Sequence, residues 1–205
     1  LFFSVLAGLC FWTRYLAWNV DYYLMYLWGR TCTVIYGIER VRSGIKRKMS
    51  VGIYVAPHSS FWDIIILGSE LRGFFVSKAE VLKWPVIGLG AKFVRTVFID
   101  REKGVSALRS ISRSAEKIFI TGNSLIMFPE GTRSYDHMKS FKGGAFHISF
   151  ITKKPMIPVM LKYTPREAVV PKVKGNFIVE LIKQSMYSWS VRAEIRVLEP
   201  IDPKN

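Results

Sequence analysis

Apolar and polar positions along the chain fall into two textures. Residues 1–29, LFFSVLAGLCFWTRYLAWNVDYYLMYLWG, are mostly apolar and aromatic, interrupted by Arg14, Asn19 and Asp21. The first unbroken run is about twelve residues, short of the ~20 that a spanning helix needs. The pattern predicts two short helices lying in a membrane interface, because Trp12, Tyr15, Trp18, Tyr22, Tyr23, Tyr26 and Trp28 are residue types that prefer headgroup depth. Two other arrangements stay open: a helical hairpin packed onto the domain core, and a span extended by residues upstream of Leu1. A signal peptide fits poorly, with neither a basic lead-in nor a small-residue cleavage site.

From residue 31 the pattern changes to short β-branched runs alternating with helical or turn-rich segments. TCTVIYGI and SVGIYVAP predict strands joined by the basic turn ERVRSGIKRKM, with Gly44 at the bend. SFWDIIILGSEL predicts a helix, GFFVSKAE a strand running into a loop, VLKWPVIGLGAKF a short helix and connection, and RTVFID a strand. In KGVSALRSISRSAEKIFITG, Val105, Leu108, Ile111, Ala115 and Ile118 recur near helical spacing, and Gly122 is placed to end the helix. SLIMFPE, PMIPVML, FIVELI and VRAEIRVLEP predict further strands, with GGAFHISFITKK a helix among them. The alternation predicts an α/β fold with a mixed, largely parallel sheet flanked by helices. Residues 1–30 form the expected anchoring helical segment and 31–205 one α/β domain.

Charge narrows the partners. Thirty Lys and Arg against fifteen Asp and Glu give a net charge of +15, which on so apolar a chain implies an acidic partner: nucleic acid, an anionic lipid surface or phosphorylated ligands. The aromatic residues gather at the amino terminus rather than interleaving with basic runs, and no nucleic-acid signature is present, which argues against nucleic acid. Cys10 and Cys32 both lie in apolar stretches, with no metal-ligand spacing around them. A reducing compartment without structural zinc or disulfides is therefore expected.

Within VAPHSSFWDIIIL, residues 55–67, His58 and Asp63 stand five apart at the predicted strand-to-helix junction. On one straight helix they would sit roughly 140° apart and could not touch. They can meet only if His58 precedes the helix and Asp63 lies in its first turns. Pro57 disfavours helix at Ala56, and Ser59 or Ser60 can cap the helix that begins after them. The carboxylate then fixes the imidazole tautomer and leaves the other ring nitrogen free to accept a proton. Spacing alone does not distinguish this from two polar residues flanking a turn. FPEGTRS, residues 128–134, comes after another strand, at the end of an α/β sheet where ligands bind. Gly131 permits close backbone approach, Thr132 offers a hydroxyl and an amide, and Arg133 a fork for phosphate oxygens. Lys78 and Arg101 also lie just after predicted strands, so the three strand ends would build one positively lined edge.

Four ordered motifs, HSSFWD, FIDR, FPEGTRS and MIPVML, resemble those of the glycerolipid acyltransferase family, and most those of the 1-acyl-sn-glycerol-3-phosphate acyltransferases, over roughly residues 35–165. The resemblance implies an O-acyltransferase in which His58 is the general base and Asp63 orients it. It implies that Arg101, Glu130, Gly131, Thr132 and Arg133 bind the acceptor, with Lys78 at the same edge and Pro158 shaping the acyl wall. Glu130, being acidic, is expected to accept from the glycerol or to anchor an arginine. The donor would be acyl-CoA or acyl carrier protein, the acceptor lysophosphatidic acid, and the product phosphatidic acid. No metal and no resident cofactor is implied. Another lysolipid acceptor, such as a lyso-ornithine lipid or other lysophospholipid, is the alternative, and a catalytically silent basic membrane-binding module a remote one. A lysolipid acceptor sets the expected location at a membrane, on the cytoplasmic face of the cell membrane.

Overall fold

The structure, a computed structural model, describes residues 2–44, 50–84, 87–134, 139–170, 179 and 191–204. Its strands are β1 (Glu39–Gly44), β2 (Ile53–Val55), β3 (Gly73–Lys78), β4 (Val97–Ile99), β5 (Ser124–Met127), β6 (Met156–Thr164) and β7 (Arg192–Val197). Its helices are α1 (Phe2–Ile35), α2 (Trp62–Glu70), α3 (Ile87–Phe93), α4 (Gly104–Ile120) and α5 (Gly144–Thr152). The strands form one sheet in the order β1-β7-β6-β2-β5-β3-β4. Among the described residues β6 and β7 are the antiparallel neighbours, and every other pair is parallel. This is the mixed, largely parallel sheet expected.

β5 reads Ser-Leu-Ile-Met and all of it is buried, as a parallel strand covered on both faces must be. On one face α1 and α2 enclose a core containing Trp62, Ile66, Tyr54 and Ile126. On the other, α4 and α5 enclose Ile111, Ile118, Phe74 and Ile148. α2 is apolar nearly all round because it lies between the sheet and α1. α4 is amphipathic, with Ala107, Ile111, Ala115 and Ile118 inward. Val105, expected on that stripe, points out and is 66% exposed, while Ala107 takes the inner position. Gly122, at φ +75°, ends the helix in a conformation that disfavours a side chain.

The amino terminus departs from expectation. Instead of two short helices and a strand over 31–38, α1 is one helix running through Ile35, and the strand comes after it, within the segment expected to be a basic turn. Packing explains this. Met25, Gly29 and Thr33, four residues apart, are buried on one face of α1, and a Cβ on Gly29 would stand 2.7 Å from the Ile65 carbonyl oxygen. The glycine therefore lets α1 and α2 approach closely. Asn19 and Asp21, which interrupt the apolar run, are tied to the domain: Arg72 donates to Asn19 Oδ1 and Arg95 to Asp21 Oδ2. The charged strand β1 is held by its parallel ladder to β7, and its Arg40 reaches Glu70 of α2 at 3.4 Å. The expected strand FIVELI lies outside the described residues apart from Val179, which is exposed. Among the described residues no helix is long and apolar enough to cross a membrane.

Candidate active site

Neighbouring strands β2 and β5 send their chains to opposite faces of the sheet, β2 into α2 and β5 into α5. Such a divergence opens a crevice at the carboxy ends of the strands. Its two lips are the segments singled out from the sequence, Pro57 to Ser60 and Pro129 to Ser134. The ladder bond from the Ala56 amide to the Met127 carbonyl, at 3.1 Å, is the last before the lips. Beyond it a side chain takes over: the His58 amide donates to Glu130 Oε1 at 3.2 Å. The Ser134 amide returns to the His58 carbonyl at 2.7 Å.

His58 and Asp63 meet as the corner geometry required. His58 Nδ1 lies 2.8 Å from Asp63 Oδ2, and the amides of Ser59 and Ser60 donate to that same oxygen at 2.7 and 2.8 Å. An ionised carboxylate only accepts, so Nδ1 carries the proton and Nε2 holds the lone pair. Asp63 is fully buried in the first turn of α2, where the amide ends of the helix favour its charge. Its other oxygen, Oδ1, accepts from the Tyr163 hydroxyl at 2.6 Å. The N-cap of α2 is Phe61, not the Ser59 or Ser60 expected, and makes no side-chain cap bond; Ser60 Oγ, one residue earlier, accepts from the Trp62 amide at 3.2 Å and donates to the Val169 carbonyl at 2.6 Å.

The imidazole is also held by its face. Phe128 stacks on it with ring centroids 4.1 Å apart and planes 15° from parallel. The His58 side chain keeps 15% of its surface accessible, and among the described residues no hydrogen bond occupies Nε2. A ring fixed at one nitrogen, clamped on one face and open at the other nitrogen can take a proton from a molecule that enters the crevice.

The FPEGTRS turn closes on itself. Gly131, at φ +71°, donates its amide to the Phe128 carbonyl at 3.0 Å. Glu130 is 2% exposed, and besides the His58 amide its carboxylate accepts from the Ser134 hydroxyl and, at 2.9 Å, from the Lys139 amide. These bonds differ from the glycerol or arginine contacts expected for it: the buried acid joins the two lips of the crevice. Thr132 is exposed and Arg133 half-buried. Lys78 ends β3 exposed, level in the ladder with Ile99, and Arg101 opens the short 3-10 turn after β4. Parallel pairing puts both positions on the edge that carries His58, two and three strands away, roughly 10 and 14 Å at strand spacing. Pro158 lies in β6, paired with Val55, half-buried and three residues below the level of His58.

Tyr163, Phe128 and the Lys139 amide were not identified from sequence as parts of this site. Alternation along β6 puts Tyr163 on the same face as Ile157 and Val159, but nothing in that pattern points to a carboxylate a hundred residues earlier. Phe128 lies inside a recognised motif, and its apolar character suggested only core.

A family model described as Acyltransferase matches residues 33–162. The 1-acyl-sn-glycerol-3-phosphate acyltransferase of Saccharomyces cerevisiae is 35% identical over 64% of this chain and 46% of its own length. The lyso-ornithine lipid O-acyltransferase of Pseudomonas aeruginosa is 34% identical over 73% of this chain and 58% of its own. The chain thus spans about half the length of these relatives. The crystal structure of the 1-acyl-sn-glycerophosphate acyltransferase of Thermotoga maritima superposes with a TM-score of 0.65 at 27% identity, covering 90% of this chain and 70% of that one.

Proposed function

The chain belongs to the acyltransferase family, and from that premise we propose that it moves an acyl group from a thioester, acyl-CoA or acyl carrier protein, to the free hydroxyl of lysophosphatidic acid, giving phosphatidic acid. The observation that carries this is the His58–Asp63 bond, which leaves Nε2 open at a crevice lipped by FPEGTRS. In the step proposed, the acceptor hydroxyl gives its proton to His58 Nε2 as its oxygen bonds to the thioester carbonyl carbon. The tetrahedral intermediate then collapses, the carbon–sulfur bond breaks, and the proton passes to the departing thiolate. The imidazole is restored, and neither an acyl-enzyme nor a metal is needed.

Arg101 and Arg133, with Lys78 beside them, are the proposed clamp for the acceptor phosphate; Gly131 lets the backbone approach it closely and Thr132 supplies a hydroxyl near it. Pro158 is the proposed wall for the acyl chain. Glu130 acts on this view through the lips that it joins. Membrane association rests on α1, whose outward face exposes Leu16, Val20, Leu24, Leu27, Val34 and Ile35, each between 48 and 73%. With Asn19 and Asp21 held to the domain, such a helix can lie in the interface of a bilayer. The location proposed is the cytoplasmic face of the cell membrane.

A lyso-ornithine lipid is the second acceptor to consider, because relatives named for that activity align over a comparable share of the chain. Purified protein assayed with acyl-CoA and acyl carrier protein against lysophosphatidic acid, lyso-ornithine lipid and lysophosphatidylcholine separates the two. Preference for the phosphate monoester is expected. A strong preference for lyso-ornithine lipid would transfer the assignment to it.

A further inference from the structure

Asp63 has two oxygens with unequal tasks. Oδ2 takes three donors, the His58 ring and the amides of Ser59 and Ser60, all from the corner between β2 and α2. Oδ1 faces the core and takes the Tyr163 hydroxyl, carried in from the far end of β6. Both residues are sealed from water: Asp63 is 0% and Tyr163 5% exposed.

We propose that Tyr163 is a positioning residue that acts on His58 through Asp63, holding the carboxylate in the plane that aims Oδ2 at the ring and drawing negative charge away from that oxygen. The inference rests on the acyl-transfer reading only for what the histidine does. The coupling itself belongs to the geometry. A hydrogen bond from a phenol to Oδ1 pulls carboxylate charge toward Oδ1, so less remains on Oδ2 to stabilise an imidazolium. Tyr163 therefore makes the base weaker and better aimed. Burial first, and then the adjoining Asp63 carboxylate, push its phenol well above the ordinary tyrosine range, so it remains a donor across any assay pH. The titratable groups facing this assembly are Asp63 from α2, Glu130 from the turn after β5, through the His58 amide, and Tyr163 from β6.

The test compares the full chain with Tyr163→Phe and with 3-fluorotyrosine placed at position 163, a stronger donor of nearly the same size. Nitrogen-15 NMR of histidine-labelled protein reads the titration of His58, and the pH profile of kcat/KM reads it in turnover. With Tyr163→Phe the midpoint and the acidic limb of the profile are expected to rise by about half a pH unit. kcat is expected to fall severalfold, with KM within twofold. The fluorinated protein should move the midpoint the other way. A folded Tyr163→Phe protein with an unmoved midpoint overturns the proposal, and so do the two substitutions shifting it in the same direction. If Tyr163→Phe fails to fold, the direction of the fluorotyrosine shift decides alone. Wild-type protein inert to every donor would remove the acyl-transfer reading but leave the NMR comparison, which needs no substrate, to test the coupling.

Discussion

His58 depends on neighbours that differ in kind, and each gives a different mutant. His58→Ala removes the proposed base while leaving the lips joined through backbone and Glu130, so kcat/KM should fall about 100- to 10,000-fold with little loss of stability. A folded variant with near wild-type turnover would remove the residue from the mechanism. Glu130→Ala strips the acceptor from two amides and a hydroxyl in a buried place, which should cost about 3 kcal/mol of stability. Urea unfolding measures it, and a change below about 0.5 kcal/mol would show that the acid does not join the lips as described. The buried tyrosines set a pH limit. Desolvation pushes Tyr54 up to about 12 and Tyr163 well above its usual range, whereas the unfolded phenols ionise near 10. The unfolded state thus binds fewer protons above about pH 10, and stability contributed by the neutral phenols is lost as pH rises toward 12 and beyond. Denaturation midpoints measured from pH 9 to 12 should fall across that interval.

Local pattern predicted the central elements because their own burial dictates it. Ile53 to Val55 and Ser124 to Met127 are short, nearly unbroken apolar runs that suit strands covered on both faces, and α4 carries a helical stripe that suits one face only. The junction of α1 and β1 was misassigned for the opposite reason. Thr31 to Ile38 is rich in β-branched residues and propensity favours a strand, yet Thr33 is fully buried on the inner face of α1, where contact with α2 outweighs a few tenths of a kcal/mol per residue of propensity. The charged run after it is a strand only because β7, about 150 residues later, offers its edge. In the site, the pair in HSSFWD and the turn FPEGTRS were readable because each is local. Tyr163 was not, since its partner is reached only through the fold. The α1–α2 crossing gives its own prediction. Gly29→Val would drive a side chain into the Ile65 backbone, and the two helices must separate. A loss of about 1–3 kcal/mol is expected, and thermal unfolding that matches wild type would refute the close crossing.

Taken together, one long helix, a basic chain and a crevice at one sheet edge fit the proposal of a protein that works on lipids where they reside. Leu24→Glu with Leu27→Glu places two charges on the outward stripe of α1 without touching the buried face. Flotation with anionic vesicles should fall severalfold while turnover of a short-chain, monomeric acceptor is kept. Unchanged flotation would move the membrane contact elsewhere on the molecule. The central claim, however, concerns the imidazole at the β2–α2 corner. It is tested most directly by measuring formation of phosphatidic acid from lysophosphatidic acid and an acyl thioester, with purified wild-type and His58→Ala proteins side by side. Product from the wild type and a loss of at least about 100-fold in the variant is the predicted result. No product from the wild type with any thioester, or equal product from both, would contradict it.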